Sequence, residues 1–162
     1  MNPAVANGTA QNLCVDLQWQ CPNLPEYPDE KQILLWAKAA IETNVPAAEL
    51  SVRIVDSDEM QHANHNWREK DKPTNVLSFP ASFPEEAGIN YLGDILICAD
   101  VLSRESDEQQ KFLIAHWAHI VIHGVLHLQG YDHIDDQDAL RMEQREIEVL
   151  RGLGFDNPYE TN

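Results

Sequence analysis

Five of the seven histidines lie between His116 and His133, an 18-residue window in which an even spread would place fewer than one. His123 and His127 are four positions apart, so on a helix they project from one face, one turn apart, where two imidazoles can share one metal ion. Gly130 then permits a sharp reversal that brings His133 back toward that face. Three neutral nitrogen ligands leave a fourth position open for water, as in a catalytic zinc site rather than a closed structural one. His119 and His116 precede His123 by four and seven residues, on or near the same stripe. Three ligands already suffice, so these two read as packing or supporting groups. Asp132, beside the third ligand, either orients an imidazole through its free N–H or serves the turn after Gly130.

The spacing HxxxHxxGxxH also occurs in zinc peptidases, where a glutamate follows the first histidine and acts as general base. Here that position is Gly124, and the peptidase mechanism loses its proton acceptor, a contribution of about 10²–10⁴-fold. Met142 falls inside an expected helix, a poor place for the methionine turn of those enzymes. A zinc peptidase is therefore a minor alternative.

The elements that must position these groups follow from hydrophobic period. Residues 13–19 alternate as a half-buried strand, a Pro-rich stretch intervenes, and Asp29 caps a helix carrying Ile33, Ala37, Ala40 and Ile41. Residues 50–55 alternate again, Asp56 or Ser57 opens a helix to about Trp67, and strands are expected over 74–79 and 92–98. A single helix is expected from Ser106 or Asp107 to about Gln129, and a last one from Asp135 with Leu140, Ile147 and Leu150 on one face and acids on the other. The reading is one α+β domain over residues 13–159, a small mixed four-stranded β-sheet packed with about five helices, its metal site on a long helix of the C-terminal half, after a flexible N-terminus at 1–12. A chain of 162 residues is long enough for one such core.

Composition excludes several classes. With 43% hydrophobic and 23% charged residues the chain is neither disordered nor a membrane protein. Eleven basic against 27 acidic residues give a net charge of −16, which excludes a broad nucleic-acid-coating surface but not a local basic patch. Cys14, Cys21 and Cys98 are odd in number and lack CxxC spacing, which suits reduced thiols; together with the poor signal character of the first dozen residues this points to the cytoplasm.

The stretch HGVLHLQGYDH at His123–His133, preceded by AHWAHIVI and joined to REKDKPTNVLSFP at 68–80 and LGDILI at 92–97, resembles the YbeY family of bacterial endoribonucleases. The likeness runs from about Cys14 to Tyr159. It implies a zinc-dependent, single-strand-specific endoribonuclease acting in small-subunit rRNA 3′-end maturation and ribosome quality control, with one Zn²⁺ per chain on His123, His127 and His133 and a functional arginine at Arg68. It further implies ribosomal proteins or a ribosome-associated GTPase as partners, and neither DNA nor a membrane. Asn75 stands where the family pattern often has Asp.

Phosphodiester hydrolysis needs cations on the phosphate oxygens. Arg68, Lys70 and Lys72 are three of the eleven basic residues within five positions, and Arg53 is a fourth candidate for substrate binding. In this reading His123 and Arg68 carry the chemistry, Arg68 clamping non-bridging oxygens, while the general acid and base are unassigned and either water or the RNA 2′-hydroxyl attacks. Gly124 either lets a bulky RNA backbone approach the metal or serves close helix packing. The competing reading from another class is a non-catalytic metal-binding ribosome-assembly factor.

Overall fold

The structure is a computed structural model that describes residues 12–43, 45, 47–68, 74–81 and 90–160, with Arg68 described in its backbone alone. Alternating apolar residues make β1 (Asn12–Trp19), β2 (Ala47–Val55), β3 (Val76–Pro80) and β4 (Tyr91–Cys98). The helices are α1 (Glu30–Ala39), α2 (Ser57–Arg68), α3 (Ala99–Glu108), α4 (Leu113–Leu128) and α5 (Asp136–Gly152). Asp29 caps α1 as expected: its carboxylate accepts from the Gln32 N–H at 2.8 Å, while the Gln32 side chain returns the bond to the Asp29 N–H at 2.9 Å.

The sheet order is β1-β2-β4-β3, with β1, β2 and β4 parallel and β3 antiparallel to β4. This is the mixed four-stranded sheet and five-helix α+β domain that the residue pattern predicts. Residues two apart on a strand share a face, and the two faces carry different cores. Leu50, Val52 and Ile54 of β2 and Ile95 and Ile97 of β4 pack with α1, α4 and α5 in the larger cluster. Val55, Leu77 and Cys98 face the other way, against Met60 of α2 and Val101 of α3.

Two expectations about the helices need correction. The helix expected over 106–129 is two. Residues Ser106–Glu108 end α3, and the chain turns through Gln110 at φ 54° before α4 begins. The Lys111 N–H bonds to the Ser106 carbonyl at 2.9 Å and the Gln110 N–H to the Asp107 carbonyl at 3.3 Å, the paired bonds of a left-handed helix cap. Of the face expected for α5, Leu150 is buried, Ile147 half-buried and Leu140 turned out. The residues turned inward are Met142, Glu146, Val149 and Leu150, an acid among them.

Candidate metal centre

The helix that carries the histidines is apolar around most of its circumference, and eleven of its sixteen residues are buried. Such a helix belongs in the middle of a domain. On one side Trp117 packs on Trp19 and Tyr27, with ring centroids 6.0 and 5.5 Å away. On another side Gly124 lies against the sheet, where an added Cβ would stand 3.1 Å from Ile95 Cγ2 and 3.2 Å from its Cδ1. Of the two roles expected for Gly124, close packing is the one the structure displays.

The C-terminal end of α4 is built to reverse. Gly130 has φ 100°, its N–H bonds to the His127 carbonyl at 3.1 Å, and the Tyr131 N–H reaches the Leu126 carbonyl at 3.1 Å. Gln129 pins this end to the last turn of α1 and the residues after it, donating to the Ala40 carbonyl at 2.7 Å and accepting from the Glu42 N–H at 2.8 Å. Tyr131 O–H donates to the Glu42 carboxylate at 2.8 Å, which also faces Arg145 Nε of α5 at 3.5 Å. The returning segment therefore has a fixed path, and His133 comes back over the helix.

That path brings His123, His127 and His133 together, each offering a ring nitrogen within 4.8 Å of the other two. Their ring centroids stand 4.8, 5.1 and 5.8 Å apart. His127 and His123 are half-buried and His133 is exposed, so the cluster is walled on the helix side and open toward His133. Burial, then the neighbouring His123 and His133, push the His127 pKa below the ordinary imidazole range, which keeps it in the neutral form a metal requires. The donor set is all imidazole, with spare room for a fourth ligand on the open side. These residues fit a borderline-soft divalent ion such as zinc.

Glu146, which the sequence reading missed, completes the centre. It is fully buried, and its carboxylate accepts from His123 Nδ1–H at 2.5 Å, from His119 Nε2–H at 2.8 Å and from Tyr159 O–H. Burial alone would raise its pKa, but the bonds from His119 and His123 outweigh it and bring it down to about 2. Glu146 is thus a carboxylate at neutral pH. Because it holds His123 at Nδ1, the nitrogen left for a metal is Nε2. His119, His123 and Glu146 form a second group with metal-holding spacing. Two donors bound to one tetrahedral zinc at 2.0–2.1 Å must lie about 3.3 Å apart, so contacts of 2.5 and 2.8 Å are hydrogen bonds that support the ligand.

The other expected site residues are placed as follows. His116 bonds Glu105, with Nε2 2.9 Å from Oε1, and is buried as a supporting group. Asp132 accepts from the His133 backbone N–H at 2.7 Å and serves the turn; the carboxylate on a cluster imidazole is Glu146. Arg53 stands on the sheet face opposite α4, in line with Leu96, 4.0 Å from Glu59 of α2 and beside Trp67 in an open groove of about 510 Å³. The structure does not bring it to the histidines. Arg68 is the last residue of α2, whose Met60 packs on that same opposite face. Lys70 and Lys72 lie outside the described residues, as do residues 1–11 of the expected N-terminal segment. Among the described residues no helix is long and apolar enough to cross a membrane.

A family model described as endoribonuclease YbeY matches residues 24–154. Among solved structures, the solution structure of TM1509 from Thermotoga maritima aligns over 91% of this chain and 99% of that one, at 23% identity and a TM-score of 0.53. That likeness is one of fold.

Proposed function

We propose, from the premise that the chain belongs to the YbeY endoribonuclease family, that it is a zinc-dependent, single-strand-specific endoribonuclease of rRNA processing. Its proposed substrate is the small-subunit rRNA 3′ end and RNA cleared in ribosome quality control, in the cytoplasm, with ribosomal proteins or a ribosome-associated GTPase presenting the substrate. The observation that carries the metal half of this reading is the convergence of three imidazole nitrogens at the stop of α4, backed by a buried carboxylate. His123, His127 and His133 are the ligands of one Zn²⁺ per chain.

When bound there, zinc supplies a Lewis acid and a lowered pKa for water. The chain's own residues do the rest. Glu146 fixes the tautomer and rotation of His123, and negative charge on its partner makes that imidazole a better donor. His127 stays neutral through burial. Gly124 keeps α4 seated on β4, so the ligand helix does not tilt. Arg68 presents a planar pair of donors to the non-bridging phosphate oxygens, with Lys70 and Lys72 supplying further positive charge to the RNA backbone.

The test is cleavage of single-stranded RNA by purified protein under strict nuclease controls, with zinc measured in the same samples. The intact chain should cleave and carry close to one zinc. His123→Ala should lose both, and Arg68→Lys should keep zinc but lose most activity because an ammonium lacks the planar fork. Full zinc with no cleavage by the intact protein would overturn the enzymatic reading and leave the assembly-factor one.

A further inference from the structure

Next to the histidine cluster is a recess of about 270 Å³ whose walls include Asn75, Glu105, Gln109, Lys111, Tyr159 and His123. His123 is thus shared between this recess and the proposed metal centre. Val76 and Ile120 add apolar surface to the recess, which suits the flat face of a ring. The polar groups are held from behind. His116, 5% exposed, has Nε2 at 2.9 Å from Glu105 Oε1, and Asn75 Nδ2 lies 3.3 and 3.4 Å from the two carboxylate oxygens.

Glu105 is itself 24% exposed at its side chain and lines the recess, while its anchor His116 is buried. An ionised carboxylate has about four acceptor sites. His116 occupies one on Oε1, and the two Asn75 contacts sit near the long limit for a hydrogen bond. Oε2 keeps acceptor capacity toward the recess. Burial raises the Glu105 pKa, but the bonds from His116 and Asn75 outweigh it and hold the group ionised below the usual range. A fixed, acceptor-only group at a ring-sized recess beside a phosphodiester-cleaving centre is suited to reading the donor edge of an unpaired base.

We propose that this recess receives the nucleobase adjoining the scissile phosphate and that Glu105 accepts a hydrogen bond from its exocyclic amino group, so that the site favours an amino-bearing base over uracil. The inference rests on the endoribonuclease reading for the phosphate's place. Cytosine and uracil have the same size and differ where the amino group meets the carboxylate, since uracil places a carbonyl oxygen there. A site whose fixed acceptor meets a donor on one base disfavours the analogue that sets a carbonyl oxygen against it.

The test has two arms on the zinc-loaded full chain. In the first, CMP and UMP are titrated by calorimetry. CMP should bind about tenfold more tightly, the effect of one hydrogen bond to a charged group. In Glu105→Gln the amide oxygen accepts from His116 and the NH₂ turns outward, so the preference should fall to unity or invert with zinc content unchanged. Equal binding of CMP and UMP by the wild-type protein overturns the proposal without any variant, should Glu105→Gln not fold. In the second arm, a pool of single-stranded RNA with randomised sequence is cut and its ends are sequenced. Depletion of U at one position beside the cut, relieved in Glu105→Gln, supports the proposal, and cuts indifferent to C against U overturn it. If nothing is cut yet CMP is still preferred and Glu105→Gln removes the preference, the endoribonuclease reading fails while the base-reading recess stands.

Discussion

Glu146 is the residue on which the candidate centre turns. A carboxylate with no exposure survives ionised because three donors converge on it, and two of those donors are imidazoles of α4. Replacing it with glutamine keeps the volume but puts an amide where a charge oriented His123. We expect Glu146→Gln to weaken zinc binding by about 10–100-fold in a chelator competition, the usual cost of losing a group that supports a ligand histidine. The same carboxylate sets an acid sensitivity in the metal-free protein. Its folded pKa of about 2 lies below the ordinary carboxylate value of 4.5, so between those values the unfolded chain binds a proton that the folded chain does not. Stability from this group is therefore full above about pH 4.5 and is lost as pH falls toward 2. Glu146→Gln should show a flatter thermal midpoint across that window, and an unchanged slope would mean that other carboxylates carry it.

At the scale of elements, the ligand helix was legible and its neighbours only partly so. The four-residue spacing of His123 and His127 and the glycine stop at Gly130 are local signals, and the chain obeys them because the cap bonds and the left-handed φ follow directly from that glycine. The break between α3 and α4 was hidden for the opposite reason: its left-handed residue is Gln110, in a stretch with neither glycine nor proline. Tertiary packing of α4 decides that break. Glu146 was hidden by a rival stripe. Leu140, Ile147 and Leu150 have helical spacing, but Met142, Glu146, Val149 and Leu150 have it too, and only the histidines across the helix interface show which stripe is inside. The cap at Gln110 yields a check on this account. A left-handed conformation costs a non-glycine residue roughly 1–2 kcal/mol, partly offset by the greater freedom glycine has when unfolded, about 0.5–1 kcal/mol. Gln110→Gly should therefore stabilise the protein by about 0.5–1 kcal/mol in chemical denaturation, with α3 and α4 unchanged. A destabilisation of that size would mean that the Gln110 side chain, rather than the helix geometry, holds the turn.

The molecule as a whole carries a net charge of −16, and an RNA-cleaving enzyme of that charge must approach its polyanionic substrate against its own field. Of the four basic residues that the sequence offers for this task, Arg53 lies on the sheet face opposite α4, near Glu59, and does not join the histidines. Arg68, Lys70 and Lys72 remain, within five positions that start at the last residue of α2 and alternate with Glu69 and Asp71. Each phosphate neutralised on a single strand contributes about −0.7 to the slope of log K against log salt, so three contacts give a slope near −2 and engagement of Arg53 as well would take it to about −3. Affinity for naked RNA should accordingly be modest, and in the proposed reading selection among RNAs draws on partners that present the substrate; α5 adds no strong field of either sign, since its outward acids Asp136, Asp138, Glu143 and Glu148 are nearly balanced by Arg141, Arg145 and Arg151. The measurement is binding of His123→Ala protein to a single-stranded oligonucleotide across a salt series. A slope of about −6, or nanomolar affinity with no partner present, would mean that the chain gathers far more positive surface onto the strand than these three residues provide, and the proposed dependence on partners would fall with it.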